Sequence, residues 1–188
     1  MITLEVQQNQ FRLAEAFTIS RGSRTEAQVL TVCLIDGAYR GMGECVPYAR
    51  YGETVSSVTE QIQSVAPLLT SDLTPEALLE LLPAGAARNA VDCALWDLMA
   101  KRSGTPVWQL LDLPQPEPVT TAYTLSLDTP SVMQRKAAEH RHRPVLKLKL
   151  GGQGDIERLQ AVRAGAPATT IVVDANEGWS ASEYQALA

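Results

Sequence analysis

The sequence predicts an α+β domain built on an antiparallel sheet, followed by the start of a parallel α/β domain. Three observations predict it. The N-terminal part alternates apolar and polar residues and carries Asp36-Gly37, a strong hairpin turn signal. The middle part shows helical spacing of apolar residues. After a proline-rich stretch, LDLPQPEPVT, the order becomes strand, helix, strand, helix, strand, helix. Strands that alternate with helices in this way build a parallel sheet.

The elements follow in order. Ile2, Leu4 and Val6 alternate with polar residues in the first strand. A second strand covers residues 28–35, and a return strand covers 39–44. Between the first two strands, AFTISRGSRTEAQ is polar and too long for a tight turn, so it reads as a candidate functional loop. A second polar segment, PYARYGET, follows the hairpin. From Thr54, the residues Val55, Val58, Ile62, Val65 and Leu69 fall on one helical face, and Ser57 and Glu60 have the spacing either of a capping box or simply of exposed polar residues. Thr74-Pro75 reads as an N-cap with proline at the first helical position. The strongest helix spans residues 85–103, with Gly104 and Pro106 as stop signals. Beyond the proline-rich stretch, strands at 119–127, 145–150 and 170–174 lead to helices at 130–140 and 156–164 and from Ser182. The sequence ends within a helical-looking stretch, SASEYQALA, and so reads as cut.

Composition narrows the function. There are 16 Lys and Arg against 21 Asp and Glu, a net charge of -5 and an isoelectric point near 5.1. An acidic balance excludes a nucleic-acid binder, which needs a basic patch, and provides no polybasic membrane anchor. No apolar run is long enough for a bilayer, and the N-terminus lacks a signal-peptide layout. The three cysteines, Cys33, Cys45 and Cys93, have no CxxC spacing and suit a reduced, cytoplasmic chain. His140 and His142 form a His-x-His pair without further ligands nearby and read as a solvated helix end.

Two segments carry candidate chemistry. In VLKLKLGG, Lys147 and Lys149 share one strand face, and Leu146, Leu148 and Leu150 share the other. A half-exposed strand with solvated lysines would account for this pattern. Strands of a parallel sheet are usually buried on both faces, however, so two inward lysines need a reason. In IVVDANEGW, Asp174 ends an apolar strand, and an Asx-type turn would account for it. In a parallel barrel the same position is the C-terminal rim, where active sites collect and a carboxylate can ligate Mg2+. A lysine acts as a base only with a lowered pKa, which a neighbouring ammonium and a divalent cation both favour. Proton abstraction beside a carboxylate gives an enediolate, whose charge Mg2+ stabilises. Gly151-Gly152-x-Gly154 lacks the spacing and the lysine of a phosphate loop. Ser20, Ser23 and the cysteines have no His partner for a nucleophilic triad. Arg21 and Arg24 suit either solvated loop positions or a bidentate carboxylate site.

At these residues the chain resembles the enolase superfamily, in its muconate-lactonizing-enzyme-like branch. The resemblance covers the whole length. AARNAVDCALWDLMAKRSGTPVWQLL is similar to the long helix of that branch's cap domain, and KLK and VDAN to its second and third barrel strands. ISRGSRTEA, GECVPYARYGET and LPAGAARNAVDCALWDL most resemble the L-Ala-D/L-Glu (dipeptide) epimerases, which are linked to recycling of murein peptides. The resemblance implies an N-terminal α+β capping domain over residues 1–115. It implies the first three β/α units of a TIM-type barrel over 116–188, with the barrel truncated there. It implies Lys149 as an acid/base, with Lys147 lowering its pKa and contacting the substrate carboxylate. Asp174 would be the first Mg2+ ligand, Arg24 would meet the substrate's glutamate side chain, and Thr124 would contact substrate. The partner would be a small dipeptide, with self-association left open. The remaining metal ligands, an opposing lysine and an Asp-x-Asp motif for the dipeptide ammonium belong to later strands. A complete protein would then reach about 320–370 residues, and this segment alone would be inactive. A cycloisomerase, an o-succinylbenzoate synthase, an N-acyl amino acid racemase or a non-catalytic truncated product are the alternatives.

Overall fold

The computed structural model describes residues 2–187. Two compact units emerge. One holds the residues up to Phe11 together with Ala27–Glu117, and the other holds Arg12–Glu26 together with Pro118 onward.

The first unit is built on an antiparallel sheet in the order β1-β2-β3, with β1 at Thr3–Ile19, β2 at Gly22–Asp36 and β3 at Tyr39–Cys45. Asp36 pairs with Tyr39 across the expected Asp36-Gly37 turn. Leu30, Val32 and Leu34 alternate along β2 onto one face and are fully buried. That face packs with α1 (Val55–Ser64), α2 (Pro75–Leu81) and α3 (Ala86–Ser103) into one core, to which α3 contributes Ala87, Ala90, Val91, Ala94, Leu95 and Leu98. A short α4 (Val107–Leu110) follows.

The alanines of α3 have a specific partner. Gly41 and Gly43 of β3 lie directly under the α3 backbone, and a Cβ on either would overlap the carbonyls of Ala94 and Ala90. The outer edge of β3 is covered by α3 side chains. Asp97 Oδ2 accepts from the Met42 amide at 2.7 Å, Asn89 Nδ2 donates to the Glu44 carbonyl at 3.1 Å, and Lys101 Nζ donates to the Arg40 carbonyl at 2.9 Å. Covering an edge in this way leaves no free template for another strand.

The second unit is a parallel sheet in the order β4-β5-β6, with β4 at Tyr123–Leu125, β5 at Val145–Lys149 and β6 at Thr170–Asp174. Helices α5 (Pro130–Glu139) and α6 (Asp155–Gly165) follow β4 and β5, and α7 (Ala181–Leu187) follows β6. Leu125, Leu146, Leu148 and Leu150 are buried with Met133 and Ala137 of α5 and Val162 of α6. The leucine face of the K-x-K strand therefore builds the core, and the lysine face is the other one. An antiparallel sheet with helices, followed by the parallel strands that begin a barrel, is the predicted fold class.

The structure differs from the sequence reading in several places, among them the end of α1, which stops at Ser64 before Val65 and Leu69. Residues 16–28 are not a loop. They belong to the outer part of a long β1-β2 hairpin, turned at Ser20-Arg21, whose residues 12–26 cluster with the second unit. Most of them are exposed on both faces, so the two-residue alternation that marks a half-buried strand is missing. The capping box of α1 is formed by Thr54 and Ser57, not by Ser57 and Glu60: the Thr54 side chain accepts from the Ser57 amide and the Ser57 hydroxyl accepts from the Thr54 amide. The first parallel strand is three residues long, shorter than expected. His140 is not simply solvated: its ring lies 4.0 Å from that of Tyr123, and its Nδ1 is buried without a hydrogen-bond partner among the described residues.

Candidate active site

The parallel register decides which side chains meet. Thr124 pairs with Lys147, and Lys147 with Val172, while Lys149 pairs with Asp174. Residues paired in register point to the same face. Thr124, Lys147, Lys149 and Asp174 therefore share the face opposite the leucines.

Two ammonium groups converge on one carboxylate oxygen there. Lys149 Nζ lies 2.7 Å and Lys147 Nζ 2.9 Å from Asp174 Oδ2. The side chain of Lys149 is 10% exposed, against 36% for Lys147 and 28% for Asp174. The other carboxylate oxygen, Oδ1, accepts from the Asn176 amide at 2.9 Å. The hydrogen bond from Lys149 does most to hold the Asp174 carboxyl far below the usual carboxylate range. Partial burial opposes it, and the bonds from Lys147 and the Asn176 amide reinforce it. Both carboxylate oxygens thus have hydrogen-bond partners.

The loop after β5 is locked from inside. Asp155 is buried at the start of α6, and its Oδ2 accepts from the amides of Gly152 at 2.6 Å and Gly151 at 3.1 Å and from Trp179 Nε1 at 2.7 Å. Arg158 pairs with its Oδ1 at 3.0 Å. The glycine amides that a phosphate would need are therefore already spent on the chain's own carboxylate.

The hairpin tip is seated on the loop after β6. The Thr18 amide donates to the buried Ser126 Oγ at 2.6 Å. Ser20 Oγ donates to the Asn176 carbonyl at 2.9 Å, and Arg21 Nη1 donates to the same oxygen at 2.6 Å. A Cβ on Gly151 or Gly178 would come within 3.1 Å or 3.0 Å of Ser20 Cβ, so both glycines make room for the tip. Arg24 lies further along the hairpin. It is exposed, with its guanidinium 5.6 Å over the Phe17 ring, and it makes no ion pair among the described residues.

The structure thus brings Lys147, Lys149 and Asp174 into contact and pairs Thr124 with Lys147 in register, while Arg24 packs over Phe17 on the hairpin. Sequence reasoning missed Ser20, Arg21 and Ser126 as anchors, and Asn176 as the residue that joins the hairpin to Asp174. Asp174 fits as one oxygen ligand of a hard cation such as Mg2+, which takes about six. Among the described residues no group of three or more His, Cys, Asp or Glu could hold a metal ion. No helix among the described residues is long and apolar enough to cross a membrane.

An antiparallel cap followed by parallel strands, with K-x-K and a carboxylate at one strand rim, defines a class that sequence comparison also finds. Residues 1–112 match the N-terminal domain of the mandelate racemase / muconate lactonizing enzyme family, and the chain belongs to that family. Among curated proteins, it is 45% identical over 183 residues to the L-Ala-D/L-Glu epimerase of Escherichia coli (strain K12), covering 96% of this chain and 57% of that protein. Among solved structures, it is similar to an enolase family member from Agrobacterium tumefaciens with homology to dipeptide epimerases, which holds sodium and L-Ala-L-Glu. The TM-score is 0.93 at 48% identity, over 99% of this chain and 57% of that one. The dipeptide epimerase from Enterococcus faecalis V583, complexed with Mg and L-Leu-L-Tyr, superposes with a TM-score of 0.87 at 30% identity, over 99% of this chain and 58% of that one. The chain therefore spans little more than half the length of these relatives.

Proposed function

We propose that the protein carrying this chain is a Mg2+-dependent epimerase of dipeptides such as L-Ala-D/L-Glu, with a place in the turnover of cell-wall peptides. One observation carries the reading: Lys147 and Lys149 share a single oxygen of Asp174 at the strand rim. Similarity to dipeptide epimerases over nearly the whole chain supports it.

The roles follow from position. Lys149, the more buried lysine, takes the α-proton of the C-terminal residue on one face, and an opposing lysine outside this segment delivers a proton to the other face. Lys147, beside it and more open, contacts the substrate carboxylate, with Thr124 as its register neighbour. Asp174 is one ligand of the metal. Bound Mg2+ supplies Lewis-acid stabilisation of negative charge on the substrate carboxylate. The Asp174 carboxylate would help to hold the metal, and Lys149, the more buried of the two ammonium groups beside it, would be the group facing the α-carbon. Arg24, steadied over Phe17, meets the acidic side chain of the substrate. Epimerisation also needs a group on the opposite face, so the segment of 188 residues alone should be inactive. Three free cysteines support a cytoplasmic location.

The test is α-proton exchange in D2O by the full-length protein with Mg2+, comparing L-Ala-L-Glu, a neutral dipeptide and an N-acylated glutamate. L-Ala-L-Glu should exchange fastest. Arg24→Leu should cut its kcat/KM by about 10- to 100-fold, the value of a charged hydrogen bond, and leave the neutral dipeptide within about twofold. Preference for the N-acylated amino acid would point instead to a racemase, and no exchange with any of the three would contradict the reading.

A further inference from the structure

We propose that Ser20 and Arg21 are positioning residues: they clamp the Asn176 carbonyl and thereby fix the loop that orients Asp174. The inference deepens the proposed function and rests on it for the role of Asp174. Asn176 is bonded in two directions. Its amide donates to Asp174 Oδ1 at 2.9 Å, and its carbonyl accepts from Ser20 Oγ at 2.9 Å and from Arg21 Nη1 at 2.6 Å. One residue thus links the hairpin tip to the carboxylate that holds both lysines.

The backbone at that residue is not a relaxed one. Asn176 and Glu177 have φ values of 50° and 64°, two successive non-glycine residues in the left-handed region. Such conformations persist only where surrounding contacts over-determine them. The Asn176 side chain does not supply that hold, because its Oδ1 is buried without a hydrogen-bond partner among the described residues. The turn is held from within by the Gly178 amide, which donates to the Ala175 carbonyl at 2.9 Å, and from outside by the hairpin's two bonds to the Asn176 carbonyl. Gly151 and Gly178 leave the space in which Ser20 seats. With the tip lifted, the Asn176 carbonyl loses both donors and the turn can relax, taking its amide away from Asp174.

The experiment compares the full-length wild type with the Ser20→Ala/Arg21→Ala double variant. The single Ser20→Ala variant serves if the double variant does not fold. Hydrogen exchange at the Asn176 amide should be about tenfold faster in the variant, with the rest of the parallel sheet unchanged. The α-proton exchange kcat should fall about tenfold with it at saturating substrate, and Arg21→Lys in the Ser20 background should recover part of both. Unchanged protection at Asn176 would overturn the clamp. Faster amide exchange with an unchanged kcat would overturn its positioning role. If the wild type itself exchanges no α-proton, the functional reading fails, and amide protection alone decides the clamp.

Discussion

Lys149 and Asp174 are register partners on adjacent parallel strands, and Lys149 Nζ donates to Asp174 Oδ2 at 2.7 Å. Lys147, two residues earlier and paired with Val172, reaches forward to the same oxygen at 2.9 Å. One carboxylate oxygen holds two ammonium groups. A shared strand face becomes a shared atom, and the predictions about this rim follow from that.

Replacing Asp174 by Asn keeps the shape and removes the charge. Two ammonium groups then face each other across a partly buried rim without a counter-charge. Asp174→Asn should destabilise the full-length protein by about 1–3 kcal/mol in urea unfolding, less than a fully buried pair because Lys147 is partly solvated. It should also abolish α-proton exchange. A variant of wild-type stability would contradict the ion-pair account.

Asp155 holds the loop that follows the Lys147–Lys149 strand. Its carboxylate is buried and accepts from two glycine amides and the Trp179 indole. Asp155→Asn leaves those donors with a weaker acceptor and removes the carboxylate that pairs with Arg158, which keeps its bonds to the Asp128 and Gln153 carbonyls. A loss of about 3 kcal/mol is expected, with a change in Trp179 fluorescence as its indole bond weakens. Stability within about 0.5 kcal/mol of wild type would show that the loop does not depend on Asp155.

The sequence reading succeeded where periodicity and end signals agree. The strand at 170–174 was bounded to the residue, and the long alanine-rich helix to within one. Both have apolar residues at a clear spacing and a clear stop. The hairpin at 12–26 was not legible as strand, because its residues are polar on both faces and its order comes from tertiary anchors at Ser126 and Asn176. The four-residue α4 is too short to show a period. At the site, Lys147, Lys149 and Asp174 were legible because strand alternation and strand ends are local facts. Ser20, Arg21 and Asn176 were not, since a backbone carbonyl held by a residue 155 or 156 positions away leaves no local pattern.

Acid should expose the α3-β3 contact. Burial alone would raise the Asp97 carboxyl, but the bonds from Lys101 and the Met42 amide and the Lys101 charge outweigh it and hold it below its ordinary value. A carboxylate with a depressed folded-state pKa contributes stability above its unfolded value, about 3.9, and loses it as pH falls through the folded one. The stability gap between wild type and Asp97→Asn should therefore be constant above about pH 5 and shrink below about pH 4. Urea midpoints measured across that range would show it, and a gap that persists to pH 2 would contradict it.

The central claim is that Lys149 moves the α-proton on one face of the substrate. The most direct measurement is NMR-monitored α-proton exchange in D2O by full-length Lys149→Ala, run separately on L-Ala-L-Glu and L-Ala-D-Glu with Mg2+. The account predicts that epimerisation is lost and that exchange of at least one epimer falls by about 100-fold or more, the scale of a positioned acid/base. Exchange of both epimers at wild-type rates would contradict it.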